Sequence, residues 1–178
     1  MKLTQGPSYS LHATAATAIL ALIFLSSMAI IFRTTPGHHH FKKLVADLDA
    51  ELWIRYPAIQ QNFAPHNKID DSARVVIAYV DDKPVGCGCF RPMGEPGSIE
   101  IKRMFVMPDF RGRGISKLVL NQLEQWALEE GFVQSKLETG FNQPEAIAVY
   151  RKSGYRLIPN YPPYTHMKES MCMTKTLA

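Results

Sequence analysis

The stretch Met104-Phe105-Val106-Met107-Pro108-Asp109-Phe110-Arg111-Gly112-Arg113-Gly114-Ile115-Ser116 runs from a strand-like segment through a glycine-punctuated turn into an amphipathic helix. A helix start leaves its first backbone N–H groups unpaired and carries about half a positive charge, so it suits an anion such as a pyrophosphate. Gly112 and Gly114 permit close backbone approach. An Arg-Gly-Arg-Gly string by itself would equally suit a surface turn or a patch that touches nucleic-acid phosphates. The flanking residues decide between these. Downstream, Ile115, Leu118, Val119, Leu123, Trp126 and Ala127 recur at helical spacing, and Gly131 stands where a C-terminal cap belongs. Upstream, Ile99 to Val106 reads as a strand bounded by Gly-Ser and Pro. Strand, glycine turn and helix N-terminus in that order form the context an anion cradle requires.

The 178 residues, 46% of them apolar, can bury one good core and hardly two, so one domain is expected. The formal charge of +4 is dispersed, which does not indicate a nucleic-acid partner. Cys87, Cys89 and Cys172 form neither an even disulfide framework nor a metal spacing, and they fit a reducing compartment. Residues 13–32 carry no charge and approach the length of a membrane span. The flanking Lys2 and Arg33, Lys42 and Lys43 would place the C-terminal domain on the cytoplasmic side. Against an anchor, Ile30 to Arg33 read as the first strand of the domain, and a strand cannot lie in a sheet and a bilayer at once. Residues 1–27 are therefore expected to be a hydrophobic extension, an anchor or a targeting segment, with the domain covering 28–178 from Met28. His38, His39 and His40 read as a polar loop, because adjacent histidines point in different directions.

Elsewhere in the domain, Phe41, Leu44, Val45, Leu48 and Leu52 form a helical stripe that Pro57 stops. A shorter helix over Ala58 to Phe63 comes next. Val75 to Val80 and Val85 to Phe90 form a hairpin around Asp81-Asp82-Lys83, and the Pro92 to Ser98 loop leads into Ile99 to Val106. After the long helix come a strand at Ser135 to Thr139, a helix opened by Pro144 and stopped by Gly154, and strands at Tyr155 to Ile158 and Met171 to Lys175. The fold class is α/β, a mixed sheet with helices in the order β-α-α-β-β-β-α-β-α-β-β.

Three separated segments carry a family resemblance: Ile99 to Val106, Phe110 to Lys117, and Leu137 to Tyr155 with its Leu-Glu-Thr-Gly-Phe-Asn-Gln-Pro-Glu-Ala-Ile-Ala-Val-Tyr core. Together they resemble the GNAT N-acetyltransferases, in the flavour of small bacterial-type members, from about Ile30 to the C-terminus. The family's Arg-x-x-Gly-x-(Gly/Ala) signature ends here on Ser116, which is small and keeps its amide. The resemblance implies acetyl-CoA as donor and direct attack by a primary amine, from a small molecule or a peptide, in a ternary complex. It implies that backbone groups of Phe105 and Val106 pair with the pantetheine arm. The amides of Arg111, Gly112, Arg113, Gly114, Ile115 and Ser116 would cradle the pyrophosphate. Asn142 matches a cofactor-contacting position and is equally suited to cap a helix. Tyr150 matches the tyrosine that protonates the leaving thiolate, a task its phenol suits; a core tyrosine is the alternative. Glu100 is the leading general base and Glu138 the second choice, with a lysine ion pair as the structural alternative for Glu100. Tyr56, Gln60, Asn67, Tyr161 and Tyr164 fall where such a fold builds its acceptor pocket. From the cysteines, the charge distribution and the histidine spacing, a cytoplasmic protein is expected, membrane-associated only if residues 13–32 anchor it, with no metal site and no nucleic-acid partner, and with a homodimer open. A non-catalytic acyl-CoA-binding module would share the Arg111 to Ser116 turn but need neither Glu100 nor Tyr150.

Overall fold

The computed structural model describes residues 29–178, so the upstream apolar residues and Met28 lie outside the described residues. The element order is β1 (Ile30–Thr34), α1 (His39–Arg55), α2 (Gln60–Phe63), β2 (Arg74–Val80), β3 (Lys83–Pro92), β4 (Ser98–Val106), α3 (Ile115–Glu129), β5 (Gln134–Gly140), α4 (Pro144–Lys152), β6 (Arg156–Ile158) and β7 (Ser170–Thr176). This is the order read from hydrophobic periodicity. Most strand boundaries shift by one or two residues, and the first two helices differ in more than length. His39 and His40 open α1 instead of forming a loop, because the His38 side chain accepts from the His40 N–H and caps the helix. The second helix is shorter than expected and continues as a 3₁₀ turn over Ala64–Asn67.

The seven strands lie in the order β1-β2-β3-β4-β5-β7-β6, and β4 and β5 form the parallel pair. Both faces are covered, so the central strands read as near-continuous apolar runs. In β2, Val76 and Ala78 join Ile101, Val119, Leu123, Leu137 and Tyr150 beneath α3, while Val75 and Ile77 join Phe41, Leu44, Cys87 and Cys89 beneath α1. All three cysteines are free and buried. The β2–β3 turn uses Asp81 and Asp82 at φ 49° and 60°, the left-handed pair that a tight hairpin requires. Among the described residues no helix is long and apolar enough to cross a membrane. Ile30 to Thr34 instead pair with Tyr79 to Val75 in the sheet.

Two irregularities in β4 shape the site. Its parallel pairing with β5 runs from Ser98↔Gln134 to Ile101↔Leu137 and then ends, so Lys102 to Val106 and Glu138 to Gly140 part company. On the other side, Cys87 pairs with Phe105 and Cys89 with Lys102, which leaves Arg103 and Met104 opposite Gly88 alone. This is a β-bulge, and Arg103 adopts φ 57° within it, a conformation costly for a non-glycine residue. A fork from Asp49 on α1 holds the Arg103 guanidinium at 2.9 and 3.2 Å. Gly88 lets the bulge pack closely, since a Cβ there would force Met104 Sδ to shift.

Candidate active site

The parting of β4 from β5 opens two adjoining cavities. One, of about 200 Å³, is a groove bounded by Phe105, Val106, Phe110, Arg111, Gly112, Gly114, Ile115 and Ser116, with Ala146 and Val149 of α4 opposite. The other, of about 90 Å³, is a chamber bounded by Tyr56, Gln60, Asn67, Lys102, Arg103, Glu138, Gly140 and Glu169. Leu48, Met104, Gln143 and Tyr150 line both, so the cavities meet at these four side chains.

The groove fits a long, thin ligand with an anionic end. Met107 donates its N–H to Val85 O at 2.8 Å, so by strand alternation the Val106 N–H and C=O face the open side of β4. Gly112 and Gly114 adopt φ 77° and 78°, and a Cβ on either would meet nothing, so open space lies over the turn. Gly114 is the N-terminal cap of α3, whose Ile115 and Ser116 amides come directly after it. Apolar walls leading to a helix N-terminus are what the pantetheine arm and pyrophosphate of an acyl-CoA require. Such a donor would supply an activated thioester carbonyl at the junction of the two cavities. Arg113 donates to Asp109 O at 3.0 Å and stacks over Phe110, and it does not line the groove. Asn142 is exposed, neither caps α4 nor lines either cavity, and accepts from Arg55 through its backbone oxygen at 3.0 Å. The neighbouring Gln143 faces both cavities.

Tyr150 is buried, and burial raises its pKa, so its phenol holds its proton. Glu100 does not line the chamber. Its carboxylate accepts from Arg91 at 2.8 and 2.9 Å and from Tyr161 at 3.1 Å, and Lys102 lies 3.5 Å away. Glu100 is thus ion-paired, but its neighbouring-strand partner is Arg91 in place of the expected lysine, and the lysine near it, Lys102, lies on its own strand. Two carboxylates line the chamber, Glu169 and the more deeply buried Glu138. The latter accepts from Ser170 Oγ at 2.7 Å, and burial raises its pKa against the opposing pull of Lys102. Burial lowers the pKa of Lys102, which donates to Tyr164 at 2.9 Å. Tyr56, Gln60 and Asn67 line the chamber as expected, whereas Tyr161 and Tyr164 stand behind it, bonded to Glu100 and Lys102. The Tyr56 hydroxyl is buried against Gly140, where any side chain would collide with it.

Gln143, weighed with Asn142 as the cap of the helix that Pro144 opens, is the residue at that position, whereas Lys102 and the Glu51–Arg111 contact escape a motif reading. Strand alternation does carry one usable signal, because Glu100 and Lys102 must share a face of β4.

Comparison with known proteins agrees with this geometry. The acetyltransferase (GNAT) family model matches residues 39–155. An IAA acetyltransferase of Azospirillum brasilense is 33% identical over 148 residues, covering 83% of this chain and 97% of that protein. A crystal structure of a protein from Klebsiella pneumoniae, assigned to the acyl-CoA N-acyltransferases without a demonstrated activity, superposes with a TM-score of 0.72 at 28% identity, covering 85% of this chain and 99% of the other. An aminoglycoside 6'-acetyltransferase type Ii shares the fold, with a TM-score of 0.64 at 20% identity over 84% of this chain and 97% of its own. With the parted strands, the helix-capping glycine turn and this match over most of the domain, the chain belongs to the GNAT family of acetyltransferases.

Proposed function

We propose that the protein transfers an acetyl group from acetyl-CoA to a primary amine in a ternary complex, with Glu138 as general base and Tyr150 as general acid. The observation that carries this reading is the shared wall: Tyr150 and Met104 border both the groove and the chamber, so a donor in one and an acceptor in the other meet beside them. Holding two reactants in contact supplies much of the rate acceleration by itself.

In the groove, the Val106 backbone groups hold the pantetheine arm. The turn from Arg111 to Ser116 holds the pyrophosphate, with Gly112, Gly114 and the Ile115 and Ser116 amides nearest to it. In the chamber, the Glu138 carboxylate takes a proton from the acceptor's ammonium, leaving a free amine whose lone pair forms the new N–C bond. As the C–S bond breaks, the Tyr150 phenol gives its proton to the departing sulfur. The second proton leaves the new amide nitrogen for the Tyr150 phenolate, which restores the phenol while the first proton passes from Glu138 to solvent. An N–H of the parted strand near Phe105 or Val106 stabilises the developing oxyanion. Glu100 acts behind this machinery: with Arg91, Tyr161 and Tyr164 it fixes the position of Lys102.

Incubation with acetyl-CoA and a panel of primary amines, with free-thiol detection as the readout, tests the assignment. Amine-dependent thiol release is the expected result. Cofactor binding without thiol release for any amine would show an acyl-CoA-binding module instead.

A further inference from the structure

The chamber beyond Met104 is electrically polarised. β4 brings Lys102 and Arg103 to one wall, and Glu138 of β5 and Glu169 stand at the other. Not all of these charges are available to a ligand. Arg103 is committed to Asp49 at 2.9 and 3.2 Å. Glu100, outside the chamber, is matched by Arg91 at 2.8 Å, which leaves Lys102, at 3.5 Å, as its outer partner. The Lys102 ammonium has three donors, of which one goes to Tyr164 and one points toward Glu100. Glu138 accepts from Ser170 and has no ion-pair partner among the described residues.

Lys102 and Glu138 are the first positions beyond the last parallel pair, Ile101↔Leu137, so they occupy the two facing lips where the strands part. They are opposite in charge, they line the same 90 Å³ space, and they do not close an ion pair with each other. Buried charges held open to one cavity are costly unless something completes them.

Building on the acyl-transfer reading above, we propose that the acceptor is a small amino acid, with its amine against Glu138 and its carboxylate against Lys102. A zwitterion completes both charges at once. A plain alkylamine would leave Lys102 with only the Glu100 contact at 3.5 Å, shared with Arg91, as counter-charge, and a diamine would bring a second ammonium into the chamber beside Lys102 with Glu169 alone to receive it, so the zwitterion is favoured over both. The volume supports a small ligand, since each water needs about 10–15 Å³ measured in the same way and the chamber therefore holds only a few atoms' breadth of solute.

The test compares a free amino acid with its methyl ester, its decarboxylated amine and a diamine of similar length, each with acetyl-CoA and wild-type protein, by thiol release. The free amino acid is expected to show a kcat/KM about tenfold or more above the other three, as for a site whose buried polar group is left unpaired by the analogue. Lys102→Met should bring that ratio to about one, and Lys102→Arg should preserve much of it; a CoA-induced thermal shift verifies that each variant is folded. Equal or better turnover of the ester, the decarboxylated amine or the diamine overturns the proposal, as does a Lys102→Met protein that keeps the preference. The wild-type comparison decides even if neither variant folds. Thiol release with decarboxylated amines alone would sink the amino-acid assignment and leave acyl transfer standing, whereas no release with any amine overturns both.

Discussion

Arg111 Nη2 and Glu51 Oε2 meet at 2.5 Å across the mouth of the cofactor groove, while Arg111 Nε donates to Val106 O at 2.9 Å. The arginine assigned to the pyrophosphate turn thus already holds a carboxylate and a carbonyl of the strand assigned to the pantetheine arm. Glu51 is held in turn by Arg55, which reaches Glu145 at the start of α4 at 2.5 Å, so one charge network spans the groove. Binding an acyl-CoA therefore exchanges one anion for another at Arg111.

Because partly exposed ion pairs are worth about 0–1 kcal/mol, removing the competing carboxylate should have a modest, favourable effect. Glu51→Gln is expected to lower the CoA dissociation constant about two- to fivefold by calorimetry. Arg111→Ala, which deletes a charge-assisted contact to phosphate, should raise it about tenfold. Phosphate-free pantetheine should respond less to either change.

Burial holds the Glu138 pKa above the usual glutamate value of about 4.3, and a base accepts a proton only when ionised. Turnover should therefore fall as pH drops through this raised value, at a higher pH than an exposed glutamate would give. Glu138→Gln should lower kcat about 10²-fold or more and remove that acid limb of the pH profile, without weakening CoA binding. The same shift has a stability consequence. A carboxyl group with a raised folded-state pKa binds more protons when folded, so wild type loses stability as pH rises through that range. The variant's melting temperature should exceed that of wild type at neutral pH, and this advantage should vanish in acid.

Much of the fold was legible in the sequence because local chemistry and tertiary structure agree there. Gly112 and Gly114 both adopt positive φ at the turn, Asp81 and Asp82 do so in the hairpin, and Gly131 and Gly154 stand just past the ends of α3 and α4 as caps. What escaped was tertiary. Nothing in an arginine side chain announces the left-handed conformation that Arg103 adopts in the bulge, which arises where β4 must satisfy β3 while parting from β5. The choice between Glu100 and Glu138 depends on which carboxylate finds a cationic partner. Glu100 has one in Arg91, a residue supplied by the neighbouring strand register. Glu51 joins the cofactor groove only because α1 crosses it, 60 residues away in sequence from Arg111.

Gly88 is the clearest test of the bulge. A methyl group there would collide with Met104 Sδ and stand 3.0 and 3.1 Å from Leu123 and Val119. Overpacking of this kind costs about 1–3 kcal/mol, so Gly88→Ala should lower the melting temperature by about 2–12 °C. Because Met104 borders both cavities, turnover should fall as well, and scanning calorimetry beside a thiol-release assay reads both effects.

The most direct measurement is the kcat of Tyr150→Phe beside its CoA dissociation constant. Removing one hydroxyl at the junction of groove and chamber should lower kcat about 10²-fold or more while CoA binds as tightly as to wild type. Full turnover across the pH range in a variant that still binds CoA would contradict the assignment of Tyr150 as the acid that protonates the leaving sulfur.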